Sequence, residues 1–187
     1  MSQELPTCPT GCDGLLPEVD FNYCDPDVQF GEIDKIYVMA RDGSPLLDWE
    51  SLSEWNSRIV ASGVAPSSAD DIIELHVIGD QPLPESDELV ISLDRRIQTP
   101  KTFTLNVEMD DVSDPNYQFM RWLECNTSVR IWYSANEKLF GDNAGIDKVN
   151  FKLGYQIERG QKTLQNIAGT VTWEDEFSPN RITNPMA

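Results

Sequence analysis

The stretch KTFTLNVEMDDVSDPNYQFMRWLECNTSVRIWYS, residues 101–134, predicts a strand, a capped helix and a second strand in immediate succession. In residues 101–109 apolar and polar side chains alternate, which is typical of a strand with one buried face. The sequence therefore predicts a sheet with one polar face. The apolar positions are Phe103, Leu105, Val107 and Met109, and the polar positions are Thr102, Thr104, Asn106 and Glu108.

A helix is predicted over residues 114–125. Asp114 suits the N-cap, and Pro115 suits the first helical position because the N–H group that proline lacks would have no helical partner there. Tyr117, Met120 and Leu123 recur at helical spacing and indicate an apolar stripe. Because alternation returns in the following strand, we expect the helix to pack on the sheet.

The rest of the chain has short strands that a helix interrupts once more. We predict about seven strands and a first helix near residues 48–61. Short turns favour antiparallel pairing, including a hairpin between residues 89–97 and 101–109. The predicted fold class is mainly β: an antiparallel β-sandwich or barrel over residues 30–178 with two flanking α-helices. The strands are predicted within residues 30–40, 72–79, 89–97, 101–109, 128–134, 149–157 and 163–177.

The two ends of the chain differ from this domain in composition. Residues 1–29 contain no Lys or Arg, several carboxylates and scattered prolines, which argues against a helix or a central strand. We expect an extended acidic arm that lies along a neighbour's surface; a terminus without fixed structure is the alternative. Residues 179–187 are expected to form a polar C-terminal tail. The apolar residues of the arm include Leu15, Leu16, Val19, Phe21 and Tyr23.

The charge of the chain restricts its partners. With 32 acidic and 14 basic side chains the net charge is −18, so the protein repels nucleic acids and anionic membranes. Such repulsion suits a surface that faces DNA without holding it, although an acidic surface also keeps a protein soluble. Neither a signal peptide nor an apolar run of about 20 residues is found, which predicts synthesis in the cytoplasm and no membrane association.

Four cysteines leave three alternatives open. Cys8, Cys12 and Cys24 fall in the arm, and Cys125 closes the predicted second helix. Thiolates can supply all the ligands of a zinc site, but the spacing between Cys8 and Cys12 is longer than usual. Free thiols fit a reducing cytoplasm better than disulfides do. The sequence therefore predicts no particular metal ligand.

No motif in the chain predicts catalysis. A phosphate-binding loop, a nucleophile elbow and a dinucleotide fingerprint are all missing, and the single histidine, His76, rules out an HExxH site. We expect a protein that is not an enzyme, without catalytic, cofactor-binding or metal-binding residues. Trp49 and Trp55, on the first predicted helix, are expected to anchor a core and not to form a ligand platform.

Several short segments follow one another along the chain in a characteristic order. They are FGEIDKIYV (30–38), a Trp-bearing helix, IGDQPLPES (78–86), FTLNVEMDD (103–111), NYQFMRWLEC (116–125) and GTVTWEDEFSPNR (169–181). In this order they resemble virion structural proteins of tailed bacteriophages, of the tail-tube or neck-ring type and particularly from phages of gut Bacteroidetes. The resemblance implies a β-sandwich or β-barrel core with a flanking helix, and subunits that form rings whose inner sheets merge into a channel.

The resemblance implies a virion protein, assembled in the host cytoplasm, that forms a homo-oligomeric ring and contacts other tail, neck or portal proteins. DNA would pass through its lumen without specific binding. Thr102, Thr104, Asn106 and Glu108, or Thr170 and Thr172, suit a polar channel wall, and Lys152 departs from it. The ring stoichiometry and the choice between tail tube and neck collar stay open.

The alternative function is a non-enzymatic carbohydrate- or protein-binding β-sandwich module. In that case an exposed Trp132 or Trp55 would form a platform on which a sugar ring stacks. The absence of an export signal counts against it.

Overall fold

The computed structural model describes residues 31–86, 88–92, 95–125, 128–157, 159 and 165–187, and for residues 88–92 and 95–98 the backbone alone. The predicted arm therefore lies outside the described residues. The described chain is mainly β with two α-helices, which confirms the predicted class. Its elements are β1 (Ile33–Ala40), α1 (Leu52–Arg58), β2 (Ile72–Asp80), β3 (Glu88–Ser92), β4 (Arg95–Gln98), β5 (Lys101–Met109), α2 (Asp114–Cys125), β6 (Val129–Ala135), β7 (Lys138–Gly141), β8 (Asn150–Gln156), β9 (Asn166–Asp175) and β10 (Asn180–Thr183).

Eight of the described strands form one antiparallel sheet in the order β10-β7-β6-β1-β2-β5-β9-β8. β5 and β9 pair along the whole of β5. β2 and β5, in contrast, pair only through Ile78–Asp80 and Asn106–Glu108. β3 and β4 form a separate two-stranded sheet. The large sheet therefore has one short junction, between β2 and β5.

The sheet curls back on itself. Tyr133 in β6 and Trp173 in β9 have ring centroids 6.0 Å apart, although three strands lie between β6 and β9 in the sheet order. In a flat sheet those strands would be about 19 Å apart, at a spacing of about 4.8 Å. The two halves of the sheet therefore face each other across one core. The sandwich or barrel stays a prediction, because the pairings among the described strands form a single open series.

The first core fills the inside of this curl. The rings of Phe103 and Trp173 stack with centroids 5.3 Å apart, and α2 buries Met120 and Leu123 beside them. α2 has the predicted bounds, and its buried Met120 and Leu123 confirm the apolar stripe. Asp114, the predicted N-cap, is instead the first residue of the helix, because Tyr117 N donates to Ser113 O (2.9 Å) and extends the helical hydrogen bonds back to Ser113. Other buried members of this core are Ile36, Val38, Leu75, Leu105, Val107, Ile131, Tyr133, Phe151, Ile167 and Val171.

A second core lies on the opposite face of β1 and β6. Trp55 from α1 contacts both Tyr37 of β1 and Trp132 of β6, with centroids 5.3 Å apart in each pair. Both indole N–H groups find backbone acceptors: Trp55 Nε1 donates to Trp49 O (2.8 Å), and Trp132 Nε1 donates to Asp142 O (2.7 Å). β1 and β6 are therefore buried on both faces, which the mixed apolar pattern of β1 predicts.

α1 is shorter than the helix predicted near residues 48–61. It spans Leu52–Arg58. Asp48, where the predicted helix begins, instead accepts a hydrogen bond on Oδ1 from the backbone N–H two residues later (3.0 Å) and forms a turn before the helix. Beyond the helix the chain becomes extended, because Val60 N donates to Ile72 O (2.9 Å) at the start of β2.

Three strand assignments differ from the prediction. Residues 89–97 do not form a hairpin with 101–109: β3 pairs with β4, whereas β5 pairs with β9 along one edge and with Glu85 and β2 along the other. Residues 138–141, which lie outside the predicted strands, form β7. Residues 180–183, expected in the tail, form β10 and pair with β7. β7 and β10 are too short to give a periodic signal.

Glu54 ties α1 to the loop before it. Its carboxylate accepts hydrogen bonds from the backbone N–H groups of Leu47 (2.7 Å) and Asp48 (2.8 Å), and Arg58 Nη2 lies 3.1 Å from Oε1. Burial alone would raise the pKa of Glu54. The two backbone hydrogen bonds and the Arg58 guanidinium outweigh burial and hold the pKa below its usual value.

We expect Glu54→Gln to lower the free energy of unfolding at pH 7 by about 1 kcal/mol, because an amide replaces a hydrogen-bonded carboxylate. A depressed folded-state pKa stabilises the fold above the unfolded-state value of about 4.3, and that stability is lost as the pH falls through the folded-state pKa. The difference between variant and wild type should therefore shrink from pH 7 to pH 3 in urea titrations. The exposed Glu50→Gln is the control, and a pH-independent loss would contradict the prediction.

Candidate functional site

β5, β9 and β8 present one polar surface on the side away from the first core. The register sets Thr104 beside Thr172 and Asn106 beside Thr170, and β8 places Asn150 on the other side of Thr172. The two sets of polar residues that the sequence predicts on separate strands therefore share one surface, which we call the polar face. It consists of Thr102, Thr104, Asn106, Glu108, Asn150, Lys152, Ala168, Thr170, Thr172 and Glu174.

The polar face carries little positive charge. Among its side chains Glu108 and Glu174 are acidic, and Lys152 is the single cation. Asp80 lies at the junction of β2 and β5, where its carboxylate accepts hydrogen bonds from Asn106 Nδ2 (3.3 and 3.1 Å). Carboxylates therefore outnumber cations here, and the surface has no electrostatic attraction for phosphates.

The polar face ends at an edge of the sheet. β8 pairs with β9 from Asn150 to Gln156, and no other described strand pairs with it. Gly169 in β9 permits this close pairing, because a Cβ atom there would overlap Lys152 O and lie 2.8 Å from Leu153 Cα. The unpaired N–H and C=O groups of such an edge are a template for a strand from another chain.

A groove of about 530 Å³ lies beside β2. α2 lines one wall with Pro115, Asn116 and Phe119, and residues 59–66 line the other wall. Its floor is the part of β2 from which β5 has diverged, residues 73–76. No sequence signal predicts this groove, because it depends on where two paired strands separate.

His76 belongs to a small ion cluster on the outer face of β2. Its side chain is 74% exposed, and Nε2 lies 2.9 Å from Glu74 Oε1. Lys35 Nζ, from the neighbouring β1, is 3.3 Å from the same oxygen. The Lys35–Glu74 pair joins β1 to β2, and such cross-strand charge pairs stabilise sheets. The cluster therefore has a structural explanation.

The tryptophans do not form the predicted sugar platform. Trp55 and Trp132 are both 0% exposed, so the expectation that either one stacks on a ligand is wrong. The opposite expectation, that Trp55 anchors a core, is confirmed. Trp122 in α2 is 43% exposed and stacks on Phe119 with centroids 5.9 Å apart. Helical spacing alone did not separate Trp122 from the buried stripe, because it lies at the margin of that stripe.

Tyr37 carries a buried hydroxyl in the second core. Burial raises its pKa, and the negative charges of Glu74 and Asp34 raise it further. Within the described residues no hydrogen bond of standard geometry reaches Tyr37 Oη, although the polar side chains of Ser134 and Asn184 lie near it. The hydroxyl is therefore neutral at physiological pH and enclosed by the core.

Cys125 is an exposed free thiol at the end of α2. Cys8, Cys12 and Cys24 lie outside the described residues, so zinc, disulfides and free thiols stay open for them. In the part of the chain that the structure describes, no three histidine, cysteine or carboxylate side chains gather into a metal site. None of the described helices is long and apolar enough to cross a bilayer.

Comparison with known proteins adds no functional assignment. No protein-family model, curated protein or solved structure matches the chain.

Proposed function

We propose that the protein is a structural subunit of a bacteriophage virion that assembles with copies of itself into a ring or tube of the tail or neck. The observation that carries the proposal is the polar face, which spans three paired strands, includes one cation and ends at the free edge of β8. The face lines or supports a channel through which DNA passes without being held. The resemblance of the sequence segments supplies the virion context.

The two sheet edges suit a contact between unlike surfaces of neighbouring copies. Among the described strands β8 and β10 end the sheet on opposite sides, and they differ in length. A contact between unlike surfaces repeats from copy to copy and closes into a ring when the rotation permits. The unpaired backbone groups at each edge favour such a contact.

Light scattering across protein concentration, followed by electron microscopy of any large species, tests assembly directly. We expect rings or stacked tubes with an axial hole, formed by the protein alone or with tail, neck or portal proteins as partners. A protein that stays monomeric at high concentration and in the presence of those partners would contradict the proposal.

Adding positive charge to the polar face should make the assembly retain DNA. We expect Thr104→Lys with Thr170→Lys to bind double-stranded DNA in a salt-dependent manner, whereas the wild type does not, because each cation near a phosphate releases counterions. Electrophoretic mobility shifts at low and high salt measure the effect. Asn56→Lys with Gln118→Lys adds the same charge at exposed positions on the two helices and is the matched control. Equal DNA binding by both double variants would contradict a special role for the polar face.

The alternative function, a carbohydrate- or protein-binding module, now depends on Trp122. With Phe119 it borders an apolar cavity of about 290 Å³ that Met39, Ile73 and Val129 also line. Glycan-array binding that Trp122→Ala abolishes would favour this alternative over assembly. An array without hits would remove its carbohydrate-binding form.

A further inference from the structure

The middle of β2 is an unpaired sheet edge inside the groove. β1 covers one side of β2 along its length. On the other side, Val60 N donates to Ile72 O (2.9 Å) at the start of the strand, and β5 pairs only from Ile78 onwards. Backbone groups in a strand point alternately to its two sides, so those of Glu74 and His76 point the same way as Ile72 O. In the described chain no hydrogen bond reaches these groups from the groove.

The walls of the groove are mostly apolar, and they are accessible. Val64 is 60% exposed, and Ala61, Pro66 and Phe119 line the same space. Leu75, which belongs to the first core, lies at the floor. An open strand edge between apolar walls binds an extended segment, because the backbone pairs with the edge and alternate side chains fill the walls.

We propose that residues 18–23 of a second copy, Glu-Val-Asp-Phe-Asn-Tyr, add a strand to this edge. The proposal rests on the proposed function, since it supplies a contact between subunits. Val19, Phe21 and Tyr23 alternate with polar residues, as a strand at a half-buried edge requires. The open stretch of β2, Ile73–Val77, has five residues and is roughly 17 Å long, which five of the six residues fill when extended.

Charge favours one orientation of the added strand. Its apolar side chains would lie on the side of Leu75 and Phe119, which places the carboxylates of Glu18 and Asp20 on the opposite side. There they face the ion cluster, where Lys35 and His76 flank a single carboxylate, that of Glu74. Residues 1–29 contain no Lys or Arg that would oppose this arrangement.

The chain length sets the spacing of the two copies. Residues 24–30 connect the segment to the described domain of its own copy. Fully extended, these seven residues reach at most roughly 24 Å. Donor and acceptor copies must therefore lie side by side, as neighbours in a ring do.

Photo-cross-linking of a mixture of isotopically light and heavy full-length protein tests the contact. The light copy carries p-benzoylphenylalanine in place of Phe21. We expect cross-links from light residue 21 to heavy peptides that contain residues 60–66, 73–77 or 115–119. Cross-links to other surfaces, links confined to one isotope, or no links at all would overturn the inference.

A matched pair of substitutions in the heavy copy tests the edge itself. His76→Pro removes an N–H that faces the groove and no hydrogen bond to β1, whereas His76→Ala keeps that N–H. We expect His76→Pro to lower the cross-link yield about tenfold and His76→Ala to retain it. An equal yield from both variants, with the fold of each verified by circular dichroism, would overturn the inference.

A second pair of substitutions is made in the light copy. It leaves β2 unchanged and so does not depend on the folding of the His76 variants. Val19→Asp places a charge on the apolar side of the segment and should abolish the cross-link. Asn22→Asp adds the same charge on the polar side and should retain it, and the reverse order would overturn the inference. Rings that form without groove cross-links would overturn this inference and leave the proposed function intact. Groove cross-links in a protein that forms neither rings nor tubes would support this inference and contradict the proposed function.

Discussion

We expect Trp132→Ala to lower the free energy of unfolding by about 4 kcal/mol, within the range for removing a large aromatic side chain from a core. Trp132 is 0% exposed, and its ring packs edge-on against Trp55 at 5.3 Å. Gly141 and Gly145 approach the ring so closely that a Cβ atom would lie 2.5 and 2.8 Å from it. The substitution also removes one of two hydrogen bonds to Asp142 O and leaves the longer one, from Gly145 N (3.2 Å). Urea titration monitored by circular dichroism measures the change.

Two further variants distinguish the effect on stability of losing a buried indole from the effect of losing a tryptophan at any position. Trp122→Ala removes an indole that is 43% exposed and should cost less than about 1 kcal/mol. Trp132→Phe retains an aromatic ring and should fall between the two alanine variants. Equal losses for Trp132→Ala and Trp122→Ala would contradict the second core as described.

Gly169→Ala should lower the free energy of unfolding by about 3 kcal/mol, near the upper range for overpacking a core. A Cβ atom at Gly169 would overlap Lys152 O and lie 2.8 Å from Leu153 Cα. Both obstacles are backbone atoms, so relief requires β8 to move away from β9. Because β8 is the free edge of the polar face, the variant should also assemble less well in the light-scattering experiment.

Gly154→Ala is the matched control in the neighbouring strand. The atom nearest to its added Cβ is Ala168 O, at 4.0 Å, so the methyl group has room. We expect stability to be unchanged or raised by about 0.5 kcal/mol, since alanine restricts the unfolded chain more than glycine does. Similar thermal melting of the Gly169 and Gly154 variants would contradict the close approach of β8 and β9.

Local features were predictable where several signals agreed. β5 and α2 have their predicted bounds, because β5 alternates over its full length and α2 combines an N-terminal proline with an apolar stripe. The faces of β5 are also as predicted, with Phe103, Leu105 and Val107 buried. Each of these features depends on residues close in sequence.

Features that depend on distant pairing were not predictable. Alternation in β6 predicts that Val129, Ile131 and Tyr133 are buried, and they are, but it leaves Trp132 on the outside. Trp132 is buried because α1 and its loop cover that face, and the local pattern of β6 does not contain that information. The short junction of β2 and β5, and with it the groove, likewise arises from strands separated in sequence.

The polar face was partly predictable. The sequence assigns Thr104 and Asn106 to one polar strand face, and Thr170 and Thr172 to another. Their union on one surface required the register of β5 against β9, which pairs Thr104 with Thr172 and Asn106 with Thr170, 68 and 64 positions away in the sequence. The sequence therefore predicted polar faces on separate strands, and only the strand register joins them into one surface.

The double burial of β1 affects how its sequence can vary. Ile36, Tyr37, Val38 and Met39 are consecutive and each at most 3% exposed, with alternate members in opposite cores. A strand with one solvent-facing side accepts polar replacements at every second position, and β1 offers none over these four residues. Mutational scanning should find the lowest tolerance to substitution here, and divergent relatives should retain four apolar residues in succession at this point.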